Sequence, residues 1–350
     1  ILSNSINGLF NFRRELIEKL IKQDFKVIIV APKGEKTIYF EKKGCKCINI
    51  VINRRGTNPV SDFFLFKKYV NILKRVNPSI VLTYTIKPNV YGGIACRFLK
   101  IPYIANITGL GTSIESRGLI SKISLLLYKI GLKKANCVFF QNIQNKIFFS
   151  KNKLFSGNAR LVPGSGVNLE KFTYGKYPIN DKPIRLLYIG RIMKAKGILE
   201  LLEAAKRIKT KYSYVEFNLL GKYEEDLEKY INEFESKGII RYHGVTDNVH
   251  SYIKNNHAII NPSHHEGMSN VLLEAASTGR PVLASRVPGC METFDEGISG
   301  YGFEARNVDS LVKTIIKFIN LPYEQKIRMG INGRRKIEKE FDRKIVIDAY

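Results

Sequence analysis

Short apolar runs rich in β-branched residues recur along the chain, with little polar alternation inside them. In the first half they lie at 26–31, 47–51, 80–83, 103–107 and 137–140. Apolar positions at helical spacing separate them, at 10–23, 60–76, 90–99, 119–133 and 142–151. A strand buried on both faces has no polar side to alternate with. Such runs interleaved with helices therefore predict a parallel sheet covered on both sides. The stretch 173–183, TYGKYPINDKP, carries two prolines and no periodicity and reads as a linker. The pattern then restarts. Strands are expected at 184–190, 215–221, 239–243, 258–261 and 281–284, and helices at 197–209, 224–237, 268–278 and 308–319. The fold class is α/β: two Rossmann-like parallel-sheet domains, 1–172 and 184–350, facing across a cleft, with ligands beyond the carboxyl ends of the strands.

Length agrees with two domains: 350 residues, 44% of them hydrophobic. There is no run of roughly 18 consecutive apolar residues to cross a membrane. The chain opens at Ile1 rather than Met and closes at Tyr350 inside a helical pattern. It is expected to be clipped in its first strand and last helix, and the presence of an N-terminal signal stays open. Five cysteines (Cys45, Cys47, Cys96, Cys137, Cys290) form neither a C-x-x-C pair nor a zinc spacing. Cys96 and Cys137, in apolar contexts, are expected as reduced core residues, which favours a reducing compartment.

Charge changes this picture. The formal net charge is +26 and it is uneven: residues 1–171 hold 29 Lys/Arg against 8 Asp/Glu, residues 172–350 hold 28 against 23. A basic first half calls for an anionic partner, whether a bilayer surface, a polyphosphate or a nucleic acid. The segment 119–134 is apolar with Lys122, Lys129 and Lys133 along one line. It fits either a membrane interface or a buried helix of the first domain. Phe63-Phe64-Leu65-Phe66-Lys67-Lys68 is a second stretch of that kind.

Candidate chemistry gathers in Asn261-Pro262-Ser263-His264-His265-Glu266-Gly267-Met268-Ser269-Asn270, followed by a helix that carries Glu274. Ser269 or Asn270 can cap that helix. Gly267, Met268 and Ser269 leave backbone donors exposed at its positive end, an anion site suited to phosphate. Glu266 and Glu274 flank this point, one ahead of the helix and one along it. Carboxylates bind hydroxyls, so the arrangement suits a sugar, a diphosphate and a ribose in that order. Arg191 and Lys196, after a strand that ends in Gly190, can neutralise a diphosphate from two directions. Either His264 or His265 can line the site. The loop Pro163-Gly164-Ser165-Gly166-Val167-Asn168 is a hinge, a ligand-facing loop or a turn. Asn7 and Gly8, in the polar connection after the first strand, and Thr108 and Gly109, after the 103–107 run, are acceptor-side candidates. No histidine pair shares a helix face and there is no D-x-D, so no metal is expected. G-x-G-x-x-G and the Walker lysine motif are both missing.

Together these residues resemble the GT-B glycosyltransferases and, within them, glycosyltransferase family 4. Gly190-Arg191 with Lys196-Gly197 looks like the family's diphosphate motif. Residues 262–274 look like its E-x-seven-E motif, and Pro288-Gly289-Cys290-Met291-Glu292 like the segment that follows. The 163–168 loop is similar too, with Asn168 where the family often has Asp. Thr83-Tyr84-Thr85-Ile86-Lys87-Pro88-Asn89 and Ala105-Asn106-Ile107-Thr108-Gly109-Leu110-Gly111 resemble bacterial capsule, O-antigen and glycan-assembly transferases.

The resemblance implies a retaining, metal-independent enzyme with no cofactor beyond its UDP-sugar donor. It implies that Arg191 and Lys196 bind the diphosphate, Glu274 the ribose and Glu266 the donor sugar. Amides of Gly267, Met268, Ser269 and Asn270 would meet the sugar and phosphate. The expected sugar is N-acetylgalactosamine or another hexosamine or hexose, and the acceptor an undecaprenyl-diphosphate-linked saccharide. The expected place is the cytoplasmic face of the plasma membrane, attached peripherally to an anionic surface, with no nucleic-acid partner. The histidine many relatives carry after the fifth strand is replaced here by Asn106-Ile107-Thr108-Gly109. Two rivals remain: a non-catalytic polyanion or nucleic-acid binder, read from charge, and a Rossmann oxidoreductase, disfavoured by the missing glycine fingerprint.

Overall fold

The computed structural model describes residues 1–53, 56, 58–109, 118–179 and 183–350. The chain forms two compact units. The first is Ile1–Ser165 with Ala349–Tyr350, and the second is Gly166–Asp348.

The first unit runs β1 (Leu2–Ser3), α1 (Ile6–Lys22), β2 (Ile28–Ala31), α2 (Thr37–Lys42), β3 (Lys46–Asn49), α3 (Pro59–Val76) and β4 (Val81–Tyr84). A π-helical turn (Pro88–Gly92) leads into α4 (Gly93–Phe98), β5 (Tyr103–Ile107), α5 (Leu119–Leu132), β6 (Cys137–Phe140), α6 (Ile143–Lys151) and β7 (Asn158–Leu161). Its seven-stranded sheet is parallel throughout, in the order β3-β2-β1-β4-β5-β6-β7. Connections leave β1 in one direction and β4 in the other, so the sheet's topological switch lies between these two strands.

The second unit runs β8 (Ile184–Ile189), α7 (Ile198–Lys211), β9 (Val215–Leu220), α8 (Glu228–Ser236), β10 (Arg241–Tyr242), α9 (Val249–Asn255), β11 (Ala258–Asn261) and α10 (Asn270–Ser277). It continues with β12 (Val282–Ser285), β13 (Gly300–Phe303), α11 (Val308–Ile319), α12 (Tyr323–Glu340) and α13 (Arg343–Ala349). Its six strands are also all parallel, in the order β10-β9-β8-β11-β12-β13, with the switch between β8 and β11. Both units therefore have the doubly wound parallel architecture expected from the apolar runs.

Several expectations change. The division falls after Ser165 rather than Phe172, because backbone bonds from Val167 N–H to Phe341 O (2.9 Å) and from Arg343 N–H to Val167 O (3.0 Å) tie that loop to the second unit. The described part of 173–183 is packed rather than a free linker. Arg280, fully buried, donates to the carbonyls of Gly175, Lys176, Lys254, Thr278 and Gly279 at 2.6–3.3 Å, and Tyr177 donates to His257 O at 2.8 Å. Helix α1 begins at Ile6, so Asn7 and Gly8 lie in a helical first turn rather than a loop, with Ser5 Oγ capping the Gly8 amide at 3.0 Å. Strand β7 escaped the pattern because, as an exposed edge, it needs no apolar run. Strand β13 escaped because two of its four residues are glycine; a Cβ on Gly300 would stand 2.4 Å from Val282 O. Cys96 is buried as expected, but Cys137 is only half-buried, at the start of β6.

Arg280→Met should lower the unfolding free energy by about 3 kcal/mol or more, since it strands several buried carbonyls at once. Denaturant unfolding measures this, and hydrogen exchange should show amides 175–177 opening before the rest of the second unit.

Candidate active site

In the second unit, two loops leave the carboxyl ends of β8 and β11, the neighbouring strands at the switch. The first is Gly190 to Lys196. It ends at Gly197, whose φ is +70° and whose absent Cβ would lie 2.0 Å from Pro262 O. Only glycine lets the first loop press against the second at that point.

An ion pair locks the loops together. Lys196 Nζ donates to Glu266 Oε1 at 2.6 Å, with both side chains mostly buried. Ser263 Oγ donates to the same oxygen at 2.8 Å. His264 sits beside them but bonds Glu200 Oε1 of α7 at 2.7 Å, so it positions the turn from behind. Arg191 is half-exposed and pairs loosely with Glu224, at 3.8 Å. Each cation expected to meet a diphosphate thus has a carboxylate beside it: Lys196 a close, shielded one and Arg191 a distant, hydrated one that a ligand displaces at small cost.

Helix α10 starts where the sequence placed it, but its cap differs. Ser269 occupies the N-cap position, yet its hydroxyl accepts from Asn261 Nδ2 (2.6 Å) and does not cap. The Ser269 amide is also engaged, donating to Gly289 O at 2.7 Å. Gly289 has φ +80°, and a Cβ there would meet the Glu266 and Gly267 carbonyls at 2.7 Å, so the 288–292 segment buttresses the turn. Of the four amides expected to face a ligand, that of Ser269 is therefore withdrawn. The N-cap residue makes no side-chain bond to the first turn of α10. Asn270 Oδ1 is buried with no hydrogen-bond partner among the described residues, and Glu274 lies four residues on, along the same helix face.

Glu274 is the site's strained charge. Loss of water pushes its carboxyl up to about 7, against the opposing pull of Lys171 and Arg343. Those two cations sit far from the motifs in sequence, and nothing in the chain's pattern marks them. Asn168 shapes their neighbourhood: its Oδ1 accepts from the amides of Glu170 (3.0 Å) and Lys171 (2.9 Å), a role an Asp would fill equally. Cys290, fully buried behind the turn, has its thiol pushed well above the usual range, first by burial and then by Glu266.

The acceptor-side candidates belong to the first unit. Asn7 is exposed, Gly8 has its amide capped, and Thr108 and Gly109 follow β5 at the edge of the described residues, with 110–117 outside them. Among the described residues no group of three His, Cys, Asp or Glu side chains is placed to hold a metal ion.

The chain is similar in sequence and fold to known glycosyltransferases. Residues 171–336 match the family model "Glycosyl transferases group 1", and residues 4–142 match "Glycosyl transferase 4-like". The chain is 26% identical over 370 aligned positions to an N,N'-diacetylbacillosaminyl-diphospho-undecaprenol alpha-1,3-N-acetylgalactosaminyltransferase of Campylobacter jejuni, covering 100% of this chain and 96% of that protein. It is 27% identical over 353 positions to the capsular polysaccharide biosynthesis glycosyltransferase CapM of Staphylococcus aureus, covering 95% and 90%. The crystal structure of Anabaena Alr3699/HepE in complex with UDP and glucose superposes with a TM-score of 0.78 at 15% identity, covering 99% of this chain and 96% of that one. At that identity the likeness speaks for the fold.

The Glu274 carboxyl is protonated more readily in the folded chain than in the unfolded one. Its contribution to stability is therefore neutral below the unfolded value of 4.5 and turns unfavourable as pH rises toward 7. Glu274→Gln should gain about 1–2 kcal/mol over wild type at pH 8 and almost nothing at pH 4.5. Unfolding midpoints across that range decide it; a pH-independent difference would contradict the assignment.

Proposed function

The chain belongs to the GT-B glycosyltransferases of family 4 type, and from that premise we propose that it moves a hexosamine or hexose, with N-acetylgalactosamine first in line, from a UDP-sugar to a lipid-diphosphate-linked saccharide in bacterial surface-glycan assembly. The observation that carries the reading is the bonded group at the β8–β11 switch: Lys196, Glu266 and Ser263 joined at one carboxylate oxygen, ahead of a helix whose N-cap hydroxyl is turned away. The names of the Campylobacter and Staphylococcus relatives support the acceptor class and the pathway class. The UDP in the Anabaena complex supports the base.

In this reading Arg191, Lys196 and the first turn of α10 take up charge on the departing diphosphate as the bond from the anomeric carbon to oxygen breaks, without a metal ion. Lys196 then exchanges Glu266 for phosphate oxygen, and Glu266 is released toward the hydroxyls of the donor sugar. Glu274 accepts from the ribose hydroxyls, which favours its ionised form. Retention follows if the acceptor hydroxyl attacks on the face the diphosphate leaves, its proton passing to the departing phosphate oxygen as the new bond to the anomeric carbon forms.

The acceptor is held at a membrane surface by the first unit. On α5, Tyr128 and Leu132 are buried while Ile120, Ile123 and Leu126 are 53%, 49% and 57% exposed. At 3.6 residues per turn Lys122, Lys129 and Lys133 fall within about 40° of one another, along one border of that apolar strip. An apolar strip edged with lysines suits the boundary of an anionic bilayer. No described helix is long and apolar enough to cross one.

In EDTA, UDP should raise the melting temperature where GDP, ADP, NAD and a short RNA do not, and Glu274→Ala should abolish the shift. An effect of RNA or NAD alone would overturn the reading. For the membrane surface, the triple change Lys122→Glu, Lys129→Glu, Lys133→Glu should cut flotation with phosphatidylglycerol vesicles about tenfold or more, as should raising salt from ~0.05 to ~0.5 M. Vesicle binding indifferent to both would remove the membrane from the proposal.

A further inference from the structure

At the switch of the first sheet, between β1 and β4, an arginine is buried without a counter-ion. Arg13, on α1, is 4% exposed. One of its terminal nitrogens donates to Phe12 O at 2.7 Å, while its Nε is buried with no partner, and among the described residues no carboxylate pairs with it. What surrounds it is aromatic: the guanidinium carbon lies 5.2 Å from the centre of the Tyr84 ring and 5.9 Å from that of Tyr350. Ring faces offset part of the cost of desolvating a cation but supply no anion.

Two further buried hydroxyls stand at the end of β4. Tyr84, the last residue of β4, is 4% exposed; its phenol lies beside Arg13 and Tyr350, and among the described residues its hydroxyl makes no hydrogen bond of good geometry. Thr85 follows with φ +76°, a conformation a β-branched residue rarely adopts, and its Oγ1 is also buried and unpartnered. The neighbouring polar groups are spent on one another. Asn106 donates to Thr83 O (3.1 Å) and accepts from Tyr350 at its side-chain oxygen, while its carbonyl accepts from Asn89 (2.8 Å). Asn89 in turn accepts from Thr83 Oγ1 at 2.6 Å. This network joins the ends of β4 and β5 and, among the described residues, leaves the Arg13 Nε, the Tyr84 hydroxyl and the Thr85 hydroxyl without a hydrogen bond of good geometry. Three donors and no carboxylate, at the carboxyl edge where doubly wound sheets bind ligands, describe an oxyanion site.

We propose that Arg13, Tyr84 and Thr85 form a phosphate-binding site in the first unit, and that it grips the diphosphate of the acceptor. The site complements the donor-binding machinery of the second unit, and the identity of its ligand rests on the lipid-diphosphate reading above. It also gives the first unit a specific reason for part of its positive charge, distinct from the exposed lysines of α5.

The test is calorimetric titration of inorganic pyrophosphate, in EDTA, into the full chain carrying Arg191→Ala and Lys196→Ala, so that the second unit's cations do not contribute. Pyrophosphate should bind this protein. Adding Arg13→Met should weaken binding about tenfold or more, Arg13→Lys should restore part of it, and Tyr84→Phe should weaken it about three- to tenfold, as expected for charge-assisted hydrogen bonds. Tyr84→Phe removes only a hydroxyl without a hydrogen bond of good geometry, so the fold should survive, and it decides the matter should Arg13→Met fail to fold. Absence of pyrophosphate binding, or binding unchanged by both Arg13→Met and Tyr84→Phe, overturns the site. The ligand is tested by transfer rates: with Tyr84→Phe, KM should rise for a farnesyl-diphosphate-linked hexosamine and stay put for the methyl glycoside of the same sugar. Pyrophosphate binding that needs Arg13 and Tyr84, joined to equal KM effects on both acceptors, would keep the site and reject the acceptor diphosphate as its ligand. UDP binding by the unaltered chain reports separately on the donor reading.

Discussion

The second unit's site depends on one mostly buried ion pair. Lys196 and Glu266 lie 70 residues apart and are brought to 2.6 Å by the adjacency of β8 and β11. A shielded pair of this kind gives little net stability, because desolvating two charges consumes most of their attraction. Its value is positional. It holds a cation and a carboxylate in place while no ligand is present, with Ser263 sharing the load on the same oxygen. Glycines at 197 and 289, each in the left-handed region, bring the surrounding backbone close enough for that contact to form.

The rest of the site leaves charge and hydrogen-bonding capacity unspent. Ser269 stands where a cap belongs and points its hydroxyl elsewhere. Among the described residues Asn270 keeps a buried oxygen unpaired, and Glu274 holds a carboxyl at a pKa near neutrality through desolvation. Each of these costs stability in the ligand-free chain, and each is relieved by a bound group with phosphate oxygens and hydroxyls. The first unit has a parallel case in Arg13, whose guanidinium lies against two aromatic rings with no carboxylate beside it among the described residues. In both units the unsatisfied groups stand at the topological switch of the sheet, where strands diverge and their terminal amides and side chains are left without neighbours.

Packing accounts for how the basic half carries its charge. Helix α5 is fastened at its C-terminal end, where Gly131 lets the backbone approach Val90 to within 2.7 Å of where a Cβ would stand and Arg97 caps Ile130 O. Its N-terminal half keeps apolar residues outward. The choice between a buried and an interfacial helix, open in the sequence, thus divides within one element: the second half is core, the first is surface.

The apolar runs by themselves determined the two parallel sheets, because a strand covered on both faces must be apolar throughout and a parallel connection requires a helix. They also located the motif residues, since Gly190, Arg191, Glu266 and Glu274 sit at strand ends and on a helix whose period is plain. The runs missed β7, exposed at an edge, and β13, half glycine, because neither bears an apolar signature. They put the end of the first unit at 172 and read 173–183 as a linker, because the groups that pack that segment, Arg280 foremost, lie some hundred residues away in the chain. Only the tertiary structure decided which charges meet. That Lys196 faces Glu266, that Ser269 bonds Asn261 rather than its own helix, that the charges of Lys171 and Arg343 reach Glu274, and that Arg13 has no carboxylate beside it among the described residues are matters of through-space distance. Local periodicity records which face a residue occupies, but it carries no information about what lies opposite.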